Sequence, residues 1–355
     1  MNPLIIPIFL PNLGCRQRCI FCNQKAVAPE VLSPSRVREF IDASMNQFPL
    51  KKLRERQVAF YGGSFTAIPK ADQIAYLTEV RPFLSSDAID SIRVSTRPDA
   101  LDEEILSLLR EYGVKTVEVG AQSMIDDVLF LSHRGHSQKD TLSAVSRLKR
   151  WEFEVGIHLM IGLPGDSLDH FLKTLDYVID LKPDFLRIHP TLVLDGAPLE
   201  ALWQEGNYSP LTLEESIQWL KRGILKLERA SIPIARIGLQ PTKDLESCYL
   251  AGPYHPSLHQ LIDSEIYFDM AMNLLQTHQN EPEPLFICHP GEVSNVRGQK
   301  NSNIQRLKDL FGLKVIHVQG KEDIPRRSLT LRTATGEVSI HRRDLSWQDN
   351  GKGRL

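Results

Sequence analysis

The sequence predicts an α/β fold: a full or partial (β/α) barrel of the TIM type, followed by a small C-terminal α+β module. Short apolar or β-branched runs recur at 4–9, 57–61, 91–95, 116–120, 156–161, 185–189 and 234–238. Most of the gaps between them hold amphipathic stretches, at 102–112, 140–151, 168–181 and 213–230, with apolar residues at i, i+3 and i+4. The strands read as near-continuous apolar runs, the pattern of a parallel sheet covered on both faces. Their regular alternation with helices favours a barrel over an open doubly wound sheet.

In a barrel of this kind the chemistry sits where strands end and loops begin. The first strand runs into Gly14 and Cys15, the second into Gly62-Gly63-Ser64, and the third into Thr96-Arg97-Pro98-Asp99. The fourth ends in Ala121-Gln122-Ser123 and the fifth in Gly162-Leu163-Pro164-Gly165. Glycine and polar signals therefore gather on one rim.

Length and composition exclude several classes. With 355 residues, 42% apolar and 24% charged, the chain has the make-up of a folded protein, long enough for one large domain and a smaller one. The expected organisation is a barrel over 1–240, a connecting loop and helix over 241–284, and a basic module over 285–355. The formal charge of −2 hides an asymmetry: residues 297–355 carry 13 Lys and Arg against 6 Asp and Glu, a surplus of seven. The apolar opening, residues 1–11, lacks a basic n-region and contains Pro3, Pro7 and Pro11, so it reads as a buried strand, not a targeting signal. No run approaches the roughly 18 apolar residues of a membrane helix, and no membrane role is expected. Five cysteines, three of them between 15 and 22, fit metal chemistry in a reducing cytoplasm better than a disulfide scaffold.

Cys15, Cys19 and Cys22 form a CxxxCxxC loop directly after the first strand. Thiolates are the preferred ligands of iron–sulfur clusters, and so short a loop can wrap three corners of a cube. A structural zinc site completed by a distant histidine, or three unligated buried thiols, are the alternatives that the spacing leaves open. Cys248 and Cys288 stand alone among apolar or aromatic neighbours and read as small core residues.

This spacing, followed at the second strand by Tyr61-Gly62-Gly63-Ser64-Phe65, resembles the radical SAM superfamily over about residues 4–240. The resemblance implies that the three cysteines hold a [4Fe-4S] cluster. Its fourth iron is then chelated by the amino and carboxylate groups of S-adenosylmethionine, with Phe21 packed near the adenine. It implies a backbone approach to the methionine amino group at Gly62, Gly63 and Ser64, where missing side chains leave room. Thr96 and Arg97 fall where the superfamily places ribose or methionine contacts. Gln122 ends the fourth strand, and Arg134 follows it at the distance seen in coproporphyrinogen oxidase-like members, whose matching arginine engages the cofactor carboxylate. Those relatives carry an acidic residue where His158 stands here.

Within the superfamily, Gly162-Leu163-Pro164-Gly165 and the 122–134 segment resemble oxygen-independent coproporphyrinogen oxidases. Ser95-Thr96-Arg97-Pro98-Asp99 and Arg236-Ile237-Gly238-Leu239-Gln240-Pro241 look like the catalytic subunit of Elongator, a tRNA wobble-uridine modifying enzyme. That subunit spaces its cysteines more widely and carries an acetyltransferase domain for which 355 residues leave no room, so acetyl-CoA chemistry is not expected. The resemblance implies an enzyme that cleaves S-adenosylmethionine reductively to a 5′-deoxyadenosyl radical, fed by a donor such as flavodoxin or ferredoxin. RNA, tRNA included, is the preferred substrate class. A small tetrapyrrole-like substrate is the other enzymatic reading, and a zinc-dependent RNA-binding protein without catalysis is the reading of another class.

After Pro241 the pattern breaks into an aromatic, proline-rich connection in which Tyr254 and His255 read as packing residues or as a proton relay. A helix is expected over 262–277, then a strand at 285–289, a helix through Leu310 capped by Gly312, and a strand at 314–318. The segment Gly298-Gln299-Lys300-Asn301 before that helix resembles the GxxG loop of RNA-binding KH domains, with asparagine in the second glycine position. A generic β-α-β element with a basic, solvated helix face is the alternative.

Overall fold

The computed structural model describes residues 3–15, 18–23, 30–47, 55–278 and 281–345, so the last ten residues of the basic segment lie outside it. The chain forms two units, 1–216 with 230–256, and 217–229 with 257–355.

In the first unit, seven strands make one sheet: β1 (Leu4–Phe9), β2 (Arg56–Tyr61), β3 (Ser91–Thr96), β4 (Val114–Gln122), β5 (Glu154–Ile161), β6 (Phe185–Pro190) and, after the short β7 (Val193–Leu194), β8 (Ile234–Ile237). Every neighbouring pair is parallel, and β1 and β8 are the two edges. The sheet curls, because residues from strands that are not neighbours meet inside it. Tyr61 of β2 donates its hydroxyl to Glu118 of β4 at 3.0 Å and accepts from Arg187 of β6 at 3.0 Å. The result is the partial barrel that the strand–helix alternation predicts.

Between the strands run α1 (Pro34–Gln47), α2 (Lys70–Ser85), α3 (Glu103–Glu111), α4 (Asp126–Leu131), α5 (Gln138–Arg150) and α6 (Leu168–Leu181). Their starts follow local chemistry. Asp102 accepts from the Ile105 amide at 2.8 Å, Ser137 and Asp140 form a reciprocal capping box, and Ser167 accepts from the His170 amide at 3.1 Å. The outward side chains of the strands, such as Val58, Val94, Val117, Val119 and Leu159, are wholly buried. Three further helices, α7 (Pro198–Gln204), α8 (Leu213–Arg229) and α9 (Lys243–Cys248), lead to β9 (Tyr249–Ala251), which pairs antiparallel with β7.

The boundary between the units falls inside α8. Its Lys221 pairs with Asp269 of α10 (Leu258–Thr277) at 2.6 Å, and its Glu228 accepts from Arg342. The second unit sets α10, α11 (Val293–Arg297) and α12 (Ser302–Phe311) with a sheet of order β11 (His317–Gly320), β10 (Leu285–Cys288), β12 (Ser328–Thr333) and β13 (Gly336–His341). Here the boundaries shift from expectation. The helix expected from 262 begins at Leu258, and the strand expected at 314–318 forms at His317–Gly320, where it pairs with β10. Gly312 caps α12 at φ +68°, as its position requires. Cys288 is fully buried in β10, among Phe286, Leu329 and Leu331.

Candidate active site

The loops after β1 and β2 interlock. Ser64 donates its amide to the Leu13 carbonyl at 2.8 Å, and any Cβ on Gly63 would run into that same oxygen and stand 2.7 Å from the carbonyl of Leu10. Gly14, at φ +76°, is likewise closed against the Ser64 carbonyl. The loop after β3 joins them through the buried Ser64 hydroxyl, which accepts from the Arg97 amide at 3.2 Å and shares a hydrogen with Thr96 at 3.1 Å. Ser64 and Thr96 thus act here as ties between loops, and Thr96 is also bonded to Thr66. The Arg97 guanidinium is engaged by Asp99, Nε to Oδ1 at 2.9 Å and Nη2 to Oδ2 at 3.0 Å.

The cysteine loop meets the end of β4. Cys19 is buried and receives a hydrogen bond from Arg134 Nη1 at 3.0 Å, while Arg134 Nη2 donates to the Gly120 carbonyl at 2.6 Å. Gly120 leaves the room for this: a Cβ there would stand 3.1 Å from Gln122 Nε2 and 3.4 Å from Arg134 Nη2. Gln122 itself sits at φ +67°, after a register shift in the β4–β5 ladder, and its buried Oε1 has no partner. A non-glycine residue held left-handed beside an orphaned acceptor is a marked local cost. Arg134 Nε is also buried without a partner. Gln122 and Arg134 therefore converge, with hydrogen-bonding capacity unspent, next to the cysteines.

Electrostatics agree with that grouping. Burial raises the Cys15 thiol, with Cys19 adding, and Arg134 and Arg97 opposing. Burial pushes Cys22 up to about 12, and Cys19 and Cys15 add to it. Cys15 and Cys22, which resist ionisation, together with Cys19 and two nearby guanidiniums form a donor set that a thiophilic cation centre stabilises by displacing thiol protons. Among the described residues no three His, Cys, Asp or Glu side chains converge on one point as ligands of a single ion. In a cubane each thiolate meets a different iron, so a cluster does not require that convergence. Phe21 is half-buried against the cluster of Ile20, Val193, Leu199 and Tyr208. Tyr254 packs on Tyr249 with ring centroids 5.5 Å apart and donates to Glu246 at 3.0 Å, a packing role.

Several polar residues, His158 apart, were not singled out from sequence. His136 is buried beside Arg134. Its Nε2 lies 3.3 Å from the Ala121 carbonyl, and burial, then Arg134 and Arg97, depress it to about 4. Inside the curl, Glu118 accepts from Arg93 at 2.7 Å and faces Arg187 at 3.0 Å. His158 and His189 share a hydrogen at 2.9 Å, and burial, then Arg187 and Arg134, hold His158 down at about 3. The available signal was polar residues at every second position in otherwise apolar strands, Arg93, Glu118, His158, Arg187 and His189. Around the loop after β5, Asp166 accepts from the Gly162 and Ser167 amides, each at 2.9 Å, and burial raises it to about 6.

A curled parallel sheet with a cysteine loop after its first strand, a glycine loop after its second and an arginine bridging the two ends of the site defines the class. The chain belongs to the radical SAM superfamily: the superfamily's model matches residues 10–178, and that of the radical SAM C-terminal domain matches residues 183–267. It is 36% identical over 128 residues to a tRNA uridine(34) acetyltransferase of Methanocaldococcus infernus, covering 35% of this chain and 24% of that protein. It is 26% identical to protein YhcC of Escherichia coli, covering 56% of this chain and 64% of the relative. Among solved structures, archaeal Elp3 of Methanocaldococcus infernus superposes with a TM-score of 0.59 at 20% identity, over 79% of this chain and 65% of that one, a likeness of fold. The chain spans about a quarter of the length of the acetyltransferases it matches first. No helix among the described residues is long and apolar enough to cross a membrane.

Proposed function

We propose that this protein is a radical SAM enzyme that acts on RNA, with tRNA as the substrate class. Cys15, Cys19 and Cys22 would hold a [4Fe-4S] cluster, and Gly62, Gly63, Gln122 and Arg134 the S-adenosylmethionine. When bound, that pair supplies reductive cleavage of S-adenosylmethionine to a 5′-deoxyadenosyl radical, with electrons from a flavodoxin- or ferredoxin-type donor. The observation that carries the reading is Arg134, which joins the Cys19 sulfur to the end of β4 and stands beside the unpartnered Oε1 of Gln122.

The residues have separable tasks. Arg134 is placed to bind a carboxylate through a guanidinium only partly spent. Gln122 offers an amide oxygen to an ammonium or hydroxyl donor. Gly63 keeps the backbone of two loops close enough that no side chain intrudes. Neutral His136 lies beside Arg134 without adding a further positive charge.

The tRNA assignment draws on the acetyltransferase relatives and on the basic segment, whose Gly298–Asn301 turn supports a role in holding RNA backbone. Gly298 is at φ +72° with Ser302 and Asn303 crowding its Cβ position, and Lys300 and Asn301 are both left-handed. Asparagine takes that conformation readily, which is how it stands in for a second glycine. Free thiols and a cluster of this kind suit a reducing cytoplasm. The test is anaerobic incubation of reduced protein with S-adenosylmethionine and total tRNA, followed by nucleoside mass analysis. A modified nucleoside that depends on Cys19 supports the reading. 5′-Deoxyadenosine release with unmodified tRNA overturns the substrate assignment.

A further inference from the structure

We propose that the concave face of the sheet contains an oxyanion-binding site built by Arg236 with His189 and Arg187, and that it takes a phosphate of the RNA substrate. The inference rests on the RNA reading above and assigns a specific group of the substrate to a specific place.

The charges inside the curl do not balance. Arg93 and Arg187 share Glu118, at 2.7 and 3.0 Å, and Arg93 lies 4.0 Å from Glu154. Two carboxylates thus answer two guanidiniums. Arg236, on β8, is the register partner of Arg187, so two like charges stand side by side on neighbouring strands, an arrangement that costs stability. The bond that the structure shows for Arg236 is to the neutral amide oxygen of Gln240, at 2.6 Å, and no carboxylate among the described residues pairs with it. Burial and then Arg187 lower its affinity for its proton, as expected for an uncompensated pair.

His189 supplies the second half. Its Nδ1 faces His158 Nε2 at 2.9 Å, and its own Nε2 is buried without a partner. Burial, His158 and the two arginines hold it well below the ordinary histidine range, so the ring carries one proton. When His158 donates to Nδ1, that proton is on Nε2, and a buried N–H is left with nothing to meet. An oxyanion beside Arg236 answers the unpaired charge, the side-by-side guanidiniums and the orphaned N–H together. Because β8 is an edge of the sheet, Arg236 stands beside the open side of the partial barrel. A nucleotide of a large RNA can present its phosphate there without entering a closed barrel.

The test is equilibrium binding to the anaerobically reconstituted protein, with uridine 5′-monophosphate, uridine and succinate as probes. Wild type is expected to bind the monophosphate at least tenfold more tightly than uridine. Arg236→Gln should cost ten- to a hundredfold in monophosphate affinity, the range of a charge-assisted bond, while uridine binding changes little. Arg236→Lys should recover part of the loss, and His189→Phe should lose severalfold, which keeps the test open if one variant folds poorly. Arg150→Gln, at an exposed ion pair with Glu103, should match wild type. Succinate bound more tightly than the monophosphate and lost in Arg236→Gln would keep the oxyanion site and overturn the phosphate assignment. Equal monophosphate binding by wild type and Arg236→Gln overturns the site. Failure of the radical SAM reading is seen separately, as wild-type protein that releases no 5′-deoxyadenosine.

Discussion

Arg134 donates a hydrogen bond to the sulfur of Cys19 at 3.0 Å, across 115 positions of sequence. The same guanidinium holds the Gly120 carbonyl at the end of β4. One side chain therefore fixes the cysteine loop to the rim of the sheet and leaves its Nε unspent.

Arg134→Ala should lower S-adenosylmethionine affinity by ten- to a hundredfold, the equivalent of about 1.5–3 kcal/mol for a charge-assisted contact. Iron content after reconstitution should remain near wild type, because the ligands are the thiolates. Titration of the reduced protein with the cofactor, alongside iron analysis, checks both. Unchanged cofactor affinity places the carboxylate elsewhere.

Gly63→Ala should destabilise the protein by about 2–4 kcal/mol, since its Cβ would collide with two backbone carbonyls that cannot swing aside. Gly206→Ala is the comparison. Its φ of +75° has open space around it, so only the left-handed strain of about 1–2 kcal/mol is expected. Thermal unfolding of the two variants measures the difference, and equal losses would contradict the interlocked loops.

The cysteine and glycine loops were legible because their signals are local: spacing within a few residues, at the ends of apolar runs. The seven strands were legible for the same reason. What the spacing did not disclose is what the side chains do once three loops meet. Ser64 ties down the Arg97 amide, Arg97 is claimed by Asp99, and Phe21 packs into a small apolar cluster. The polar interior of the curl was hidden because Arg93, Glu118 and Arg187 are far apart in sequence and meet only when β3, β4 and β6 bend together. The β12–β13 hairpin was missed because its residues, Ser328–Thr333 and Gly336–His341, carry many polar side chains and only a short turn.

His136 should stay neutral through the physiological range and titrate near 4, because burial and then Arg134 and Arg97 oppose its charging, while Asp99 favours it only weakly. In the unfolded chain it takes its proton near 6.5. Stability contributed by keeping it neutral is therefore full above about 6.5 and is lost as pH falls from there toward 4, at roughly 1.4 kcal/mol per pH unit. Histidine ring shifts followed by NMR, assigned with His136→Gln, test this. Titration near 6.5 would mean that the ring is solvated.

RNA binding should weaken steeply with salt if the basic unit clamps a backbone. Replacing Arg297 and Lys300 together with alanine should flatten the log–log slope by about 0.7 to 1.4, one to two phosphates on a single strand. Filter binding across a salt series reads the slope. An unchanged slope would assign the 298–301 turn a purely structural role.

The central claim is that Cys15, Cys19 and Cys22 hold a cluster that cleaves S-adenosylmethionine. The most direct measurement is 5′-deoxyadenosine release by anaerobically reconstituted, dithionite-reduced protein, read together with its bound iron and its EPR spectrum. The wild type should bind about four irons, the complement of one [4Fe-4S] cluster. It should also show a reduced-cluster signal that shifts on adding S-adenosylmethionine, and release 5′-deoxyadenosine, all of which Cys19→Ser should lose. Stoichiometric zinc without iron uptake, or a full cluster with no cleavage, would contradict the account.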